Sequence, residues 1–238
     1  MKKRKPVDGH TKTNRLLQQA RRDFERHEHK EIGPGHWVIR RKHRDGRGWD
    51  SAFFTHIVVM GRSAISVWGD ISACVFAYCS GAITPEAVIA WMGRRPDPHY
   101  YGRQKAHIGM GAHELLDSFD DAVALFDLRW QRRQLALDIS GSHPQDEKTG
   151  RFVKLDTVLS ERCRDAFDDA ERKLGSGEHP QLIKQALYDD LSKEYPECYE
   201  WVFDIGSYTS SRVVYALAAI ERLHILLAAE GGERAEAA

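Results

Sequence analysis

Long apolar runs are missing from this sequence of 238 residues. A helix that spans a bilayer needs about 20 consecutive apolar residues, so we expect no membrane-spanning segment and no membrane partner. The basic N-terminus, MKKRKPVDGH, is not followed by the apolar stretch of a secretory signal. Its four cysteines are too few and too scattered for a disulfide framework. We therefore expect a cytoplasmic protein with reduced thiols.

The formal net charge is zero, but the charges are unevenly distributed along the chain. The chain holds 35 Lys and Arg residues and 35 Asp and Glu residues. Residues 1–110 hold 20 basic and 10 acidic residues, whereas residues 111–238 hold 15 basic and 25 acidic ones. Such an asymmetry indicates charged partners or internal docking, and it says nothing about the fold.

The sequence lacks the usual catalytic and metal-binding motifs. It has no HExxH, no phosphate-binding P-loop and no GxSxG. His27 and His29 fall on a predicted helix, where residues two apart point away from each other and do not chelate one ion. Cys74 and Cys79 lie five apart on a predicted strand and so face opposite sides. We therefore predict no catalytic residue, no metal site and no cofactor.

Four antiparallel strands are predicted between residues 36 and 79, where alternating apolar and polar residues are typical of half-buried strands. Gly69-Asp70 fits a tight two-residue turn with glycine at its first central position. Asp70 is therefore predicted to set the strand register, not to act in catalysis.

Helical spacing dominates the rest of the chain. Thr84 and Pro85 form a start signal for a helix that ends near Gly93. The other helices are predicted at residues 14–30, 98–108, 112–138, 152–174, 181–194 and 210–229. Together these patterns predict an α+β fold, in which a small antiparallel four-stranded sheet at about 36–79 packs with the N-terminal helix and several C-terminal helices.

The domain organisation is predicted from composition and from the turn-rich loop at 140–150. The predicted segments are a disordered basic tail (1–13), an α+β domain (14–139), a helical part that shares the same core or stands apart (151–230) and a disordered tail (231–238).

Basic and aromatic side chains are interleaved in the first half of the chain. Cations that contact phosphates beside aromatic rings that stack on bases are typical of nucleic-acid binding. The candidate residues are Arg40, Arg41, Lys42, Arg44, Arg94, Arg95, Tyr101, Arg103 and Lys105. The alternative is that the basic half docks on the acidic helices of the same chain or of a second copy, which would form a homodimer.

An acidic run lies on the predicted helix at 152–174. Its members are Asp165, Asp168, Asp169 and Glu171. Asp165 and Asp169 share a helix face. Paired carboxylates can hold Mg²⁺, but a solvated charged helix explains the run at least as well, so its functional interpretation is a partner-binding acidic surface.

The segment GRSAISVWGD, the following ISACVF, AWMG and HYYGRQKAHIG together resemble a loosely defined family of bacteriophage and prophage proteins. The matching residues are Gly61, Trp68, Gly69, Asp70, Val75, Phe76, Trp91, Tyr100, Tyr101 and Lys105. The resemblance covers about residues 36–110, and the family has no settled activity.

The resemblance implies a phage-type accessory protein that binds and inhibits a host factor in the host cytoplasm. Such a factor would be a host protein or ribonucleoprotein complex, which would make the protein an anti-CRISPR or another anti-defence inhibitor. The first alternative is a nucleic-acid-binding protein that uses the basic N-terminal half. The second is a metal-dependent nuclease-like enzyme, for which replacement of Asp70 or His56 is the test.

Overall fold

The computed structural model describes residues 7–43, 48–61, 64–70, 74–77, 84–94, 96–98, 117–141 and 154–236. Its helices are α1 (Gly9–Phe24), α2 (Pro85–Gly93), α3 (Asp121–Ser140), α4 (Glu161–Ser176), α5 (Pro180–Leu191), α6 (Tyr199–Val202) and α7 (Ser211–Glu236). Its strands are β1 (His27–Gly33), β2 (His36–Lys42), β3 (Trp49–Met60), β4 (Ala64–Gly69), β5 (Cys74–Ala77), β6 (Asp117–Phe119) and β7 (Ser207–Thr209).

The chain contacts divide the protein into two compact units. The sheet unit comprises His10–Ser118 and Thr209–Ala238, and the helical unit comprises Met1–Gly9 and Phe119–Tyr208. The predicted division into segments 14–139 and 151–230 stays a prediction.

The sheet unit is built on an antiparallel meander of the strands β1 to β5, in that order. This confirms the predicted α+β class. The sheet has five strands where the sequence predicted four, because β1 occupies residues that were predicted to end the first helix. Beyond this meander, β6 and β7 form a two-stranded sheet.

The predicted helix at 14–30 is wrong at both ends. Helix α1 starts at Gly9, inside the predicted disordered tail 1–13, and ends at Phe24. The chain then forms β1, in which His27 pairs with Arg41 and Lys30 pairs with Val38. Local composition cannot register this long-range pairing, which overrides helix propensity. The predicted tail 231–238 is likewise shortened, since α7 continues to Glu236.

One face of the sheet packs against three helices. The buried sheet residues in this core are Trp37, Ile39, Ile57, Ile65, Val67, Cys74 and Phe76. The helices contribute Leu17, Ala20 and Phe24 from α1, Val88, Ile89 and Met92 from α2, and Leu217, Ile220 and Leu223 from α7. The prediction that helices before and after the sheet cover one of its faces is therefore confirmed.

The predicted two-residue turn at Gly69-Asp70 is wrong. Val67 pairs with Cys74, so the connection is longer than two residues, and Gly69 instead continues β4 opposite Thr55. Gly69 has φ +148°, and a Cβ there would lie 2.3 Å from the carbonyl oxygen of Phe54. Only glycine allows this close approach of two strands.

Helix α2 matches its prediction from Pro85 to Gly93. The side chain of Thr84 accepts a hydrogen bond from the backbone N–H of Ala87 at 3.2 Å, and Pro85 occupies the first turn. Both signals act within one helical turn, which is why the sequence alone defined this helix. The predicted helix at 98–108 lies outside the described residues, apart from residue 98.

The helical unit has its own core, formed by α3, α4, α5 and the 3-10 and α-helical turns before β7. Its largest buried side chains include Leu128, Phe167, Leu187 and Leu191. Two helices begin later than predicted, because Asp120 caps α3 and Ser160 caps α4. Among the described residues, no helix is both long and apolar enough to cross a membrane.

Replacement of Gly93 by alanine should destabilise the sheet unit. A Cβ at Gly93 would lie 2.4 Å from the Cβ of His224 on α7, so the two helices must move apart. We expect Gly93→Ala to lower the free energy of unfolding by about 1–3 kcal/mol, measured by urea denaturation with circular dichroism.

The matched control is Gly175→Ala on α4, where a Cβ would meet nothing within 4 Å. This variant should gain about 0.5–1 kcal/mol, because alanine is the better helix former. Equal unfolding free energies for the two variants would contradict the close approach of α2 and α7.

Candidate functional site

The face of the sheet opposite the helices carries polar, charged and aromatic side chains. Because neighbours along a strand alternate between faces, the residues beside Ile39 and Ile57 point away from the core. One cross-strand row on this outer face runs Lys30, Val38, His56, Trp68. The next row runs Glu28, Arg40, Phe54. Three strands therefore place a tryptophan, a histidine and an arginine side by side.

An aromatic stack stands at the centre of this face. The rings of His56 and Trp68 are parallel within 4° and their centroids lie 3.7 Å apart. The ring of Phe54 meets His56 edge-on at 5.6 Å. Trp68 nevertheless keeps 40% of its surface exposed. The stack therefore fixes the tryptophan ring in place and still presents it to solvent.

A second histidine binds the first. Nε2 of His36 and Nδ1 of His56 lie 3.0 Å apart, which is a hydrogen bond between two rings. One of these nitrogens must carry the proton and the other must accept it. Burial, followed by the charges of His36 and Arg40, lowers the pKa of His56 below its ordinary value. These surroundings therefore favour the neutral form of His56.

The predicted nucleic-acid-binding residues fall in several places. Arg40 is exposed on the outer face. Lys42 forms an ion pair of 2.6 Å with Glu28. Arg41 lies opposite the buried His27 in the strand pairing, at a β2 position that alternates with those of the outer face. Arg94 is exposed just after α2. The predicted residues Arg44, Arg95, Tyr101, Arg103 and Lys105 lie outside the described residues.

The acidic run lies on α4, and most of its charge is paired within the helical unit. Asp168 binds Arg132 at 2.5 Å, and Glu171 binds Arg129 at 2.9 Å. Asp169 contacts Arg172 and also binds Lys173 at 2.9 Å. The hydrogen bond to Lys173 lowers the pKa of Asp169 below its ordinary value.

Asp165, the remaining member of the run, is exposed. The four carboxylates therefore do not form one free anionic surface. Asp168 and Glu171 bind arginines of α3, whereas Asp169 is paired with basic residues of α4 itself.

The His27-Glu28-His29 segment is a strand and not the predicted helix end, so its two histidines share a face. His27 is buried, and Nε2 of His29 lies 3.5 Å from Glu230. Within the described ranges, no group of three or more His, Cys, Asp or Glu side chains is arranged to hold a metal ion. Cys74 is buried in the core, whereas Cys79 lies outside those ranges.

Asp70 acts on the backbone. Its carboxylate accepts a hydrogen bond of 3.0 Å from the N–H of Phe54, and its own N–H donates to the carbonyl of Phe54. Asp70 thereby extends the pairing of β3 past the end of β4. These contacts agree with the register-setting position predicted for Asp70, although they do not form a tight turn.

His36 and Phe54 are not among the site residues that the sequence predicts, and Trp68 is named only as part of the resemblance. The available signal was the alternation along β2 and β3, in which His36, Arg40, Phe54 and His56 all occupy non-core positions. Their meeting depends on the register between strands, which the alternation of a single strand does not define.

Comparison with protein-family models, with curated proteins and with solved structures finds no significant match to this chain.

Arg132 should be essential for the stability of the helical unit. Its side chain is only 16% exposed, and it donates hydrogen bonds to both Asp156 and Asp168. Arg132→Met leaves both carboxylates without this partner, so we expect a loss of about 1–3 kcal/mol in the free energy of unfolding. Thermal and urea unfolding measure this loss.

The control is Arg172→Met on α4 of the same helical unit, where the side chain is 74% exposed. An exposed ion pair contributes little, so this variant should change stability by less than about 0.5 kcal/mol. A loss as large as that of Arg132→Met would contradict the special role of Arg132.

Proposed function

We propose that the outer face of the sheet binds single-stranded nucleic acid. The observation that carries this proposal is the exposed ring of Trp68, stacked on His56 beside Arg40. The proposal takes up the nucleic-acid-binding alternative that the sequence predicts, and it assigns the binding to side chains of β2, β3 and β4.

The aromatic geometry suits an unpaired base. Aromatic side chains bind single strands by stacking on base faces, and each stacked base contributes about 1–3 kcal/mol. The ring of Trp68 is exposed on this face, and His56 holds its plane in position before a ligand arrives. Bases of a duplex already stack on each other, so a flat aromatic platform favours single strands over duplexes.

The charges on the same face suit a phosphate backbone. Arg40 and Lys30 are exposed on neighbouring strands, next to the row that holds the stack. Lys42 contributes less, because Glu28 neutralises it at 2.6 Å. The charge of the surrounding sequence also suits a phosphate backbone, since residues 1–110 hold 20 basic and 10 acidic residues. Basic side chains beside stacking rings are the usual combination in single-strand binding.

The inhibitor hypothesis, including its anti-CRISPR form and its host target, stays a prediction. Its suspected surface was the acidic run on α4, and three of those four carboxylates have basic partners within the same unit. The nuclease-like alternative has its test residues on the sheet. There Asp70 binds the backbone of Phe54 and His56 binds His36. The outer face therefore supports binding better than it supports either alternative.

Removal of the tryptophan ring should weaken binding to single strands. We expect Trp68→Ala to reduce affinity for a fluorescein-labelled 20-nucleotide oligo-dT or oligo-U by roughly 5- to 150-fold, which corresponds to the loss of one stacked base. Fluorescence anisotropy at low salt measures this affinity, and a duplex of the same length is measured for comparison.

Trp91→Ala is the matched control, because Trp91 is 43% exposed but lies on α2. It should bind like the unaltered protein. The proposal fails if no single strand binds at low salt, or if the two tryptophan variants lose affinity equally.

Arg40→Gln should lower the salt dependence of binding. One phosphate contact in a single strand contributes about 0.7 to the slope of log affinity against log salt concentration, so the slope should become shallower by about that amount. Anisotropy titrations between low and moderate salt give the slope. Arg172→Gln on α4 should leave it unchanged, and an equal change in both variants would remove Arg40 from the interface.

A further inference from the structure

The hydrogen bond between His36 and His56 is not explained by stacking alone. A glutamine or a serine at either position would also fill the outer face of a sheet. The structure instead joins two titratable rings at 3.0 Å, next to the exposed arginine of the same face. Nε2 of His36 and Nδ1 of His56 are the facing atoms, so the other nitrogen of each ring points away from this contact.

The geometry limits how many protons the pair can hold. A neutral pair has one hydrogen between the facing nitrogens, and a singly charged pair has the same arrangement with an extra proton on a far nitrogen. A second extra proton would put hydrogens on both facing nitrogens and place two positive rings against each other. The contact at 3.0 Å is therefore compatible with no extra proton or with one, but not with two.

We propose that the His36–His56 pair takes up one proton when a phosphodiester of bound nucleic acid lies against it. The inference rests on the proposed function and names a proton-coupled phosphate contact within the same face. The singly charged pair is an imidazolium that donates to its neutral partner, and its far nitrogens are the donors available to a phosphate oxygen.

The surroundings set the direction of this coupling. Among the described side chains, the charged ones of the outer face on the neighbouring strands are Glu28 and Lys30 on β1, Arg40 and Lys42 on β2, and Asp70 after β4. Glu28 is paired with Lys42, and Asp70 is bound to the backbone of Phe54. In the free protein, burial, then the neighbouring ring of His36 and then Arg40 keep the pKa of His56 low.

A phosphate reverses this balance. An anion close to the pair favours the charged form and raises its pKa, so binding and proton uptake support each other. The affinity should rise as the pH falls between the pKa of the pair in the complex and its lower pKa in the free protein. Outside that interval the affinity should not depend on the pair. Because only one proton fits, the rise is at most tenfold per pH unit.

The experiment uses the full chain and a labelled oligo-dT of 20 nucleotides at constant ionic strength between pH 5.5 and 8.5. We expect anisotropy to show tighter binding toward low pH. Calorimetry in two buffers of different ionisation enthalpy should show uptake of up to one proton. His36→Gln and His56→Gln should both flatten the pH profile, and His179→Asn, a capping histidine on α5, should leave it unchanged.

The outcomes separate the two proposals. Absence of binding at every pH overturns both. Binding that is sensitive to Trp68→Ala but independent of pH overturns the proton coupling and leaves the proposed function standing. An identical pH profile in the two glutamine variants and the unaltered protein also overturns the coupling, because a merely structural role of the pair would change affinity without a proton.

A measurement on the free protein keeps the inference testable if a glutamine variant does not fold. Proton NMR of the imidazole rings should show the pair titrating as a coupled unit. The ring of His56 should titrate below the ordinary histidine pKa of about 6.5. Two independent titrations near 6.5 would overturn the shared proton.

Discussion

The strand register of β3 is the constraint on which the rest of the sheet unit depends. Ile57 points into the helix-covered core, and its neighbour His56 points to the outer face. A slip of one residue would put Ile57 into solvent and His56 into an apolar core, and both changes are costly. The burial that stabilises the fold therefore also positions the stack on Trp68. Gly69 and Asp70 reinforce this register at the end of β4, where they contact the backbone of Phe54.

The charge distribution has a different meaning in each unit. In the helical unit, arginines on α3 neutralise carboxylates on α4, so the acidic sequence is largely an internal network. In the sheet unit, Arg40 and Lys30 stay exposed on a face that also carries an aromatic ring. A formal net charge of zero conceals this difference. Electrostatic recognition depends on where the unpaired charges lie, not on their sum.

The sequence predicted those parts of the fold whose signals are local. Helix α2 is an example, because Thr84 and Pro85 define its start within one turn. Strand β1 was missed because its pairing with β2 decides its conformation, and the charged segment by itself resembles a helix end. The histidine pair was missed for a related reason. His36 and His56 are 20 residues apart, and only the register of β2 against β3 brings their rings together.

The outer face also shows how a sheet can expose a large aromatic ring to solvent and still keep that side chain ordered. An exposed tryptophan side chain without a stacking contact would sample several rotamers, and a ligand would have to select one of them. Here the parallel ring of His56 covers one side of Trp68, and His36 in turn holds His56. The ring of Trp68 is therefore already ordered in the free protein. A base that stacks on this ring loses less binding energy to the ordering of the side chain. The neutral form of His56 also keeps the stack ordered, because an uncharged ring can be half-buried between Trp68 and Phe54 without a counterion. The order of the free face and its proposed response to an anion thus depend on the same contact between His36 and His56.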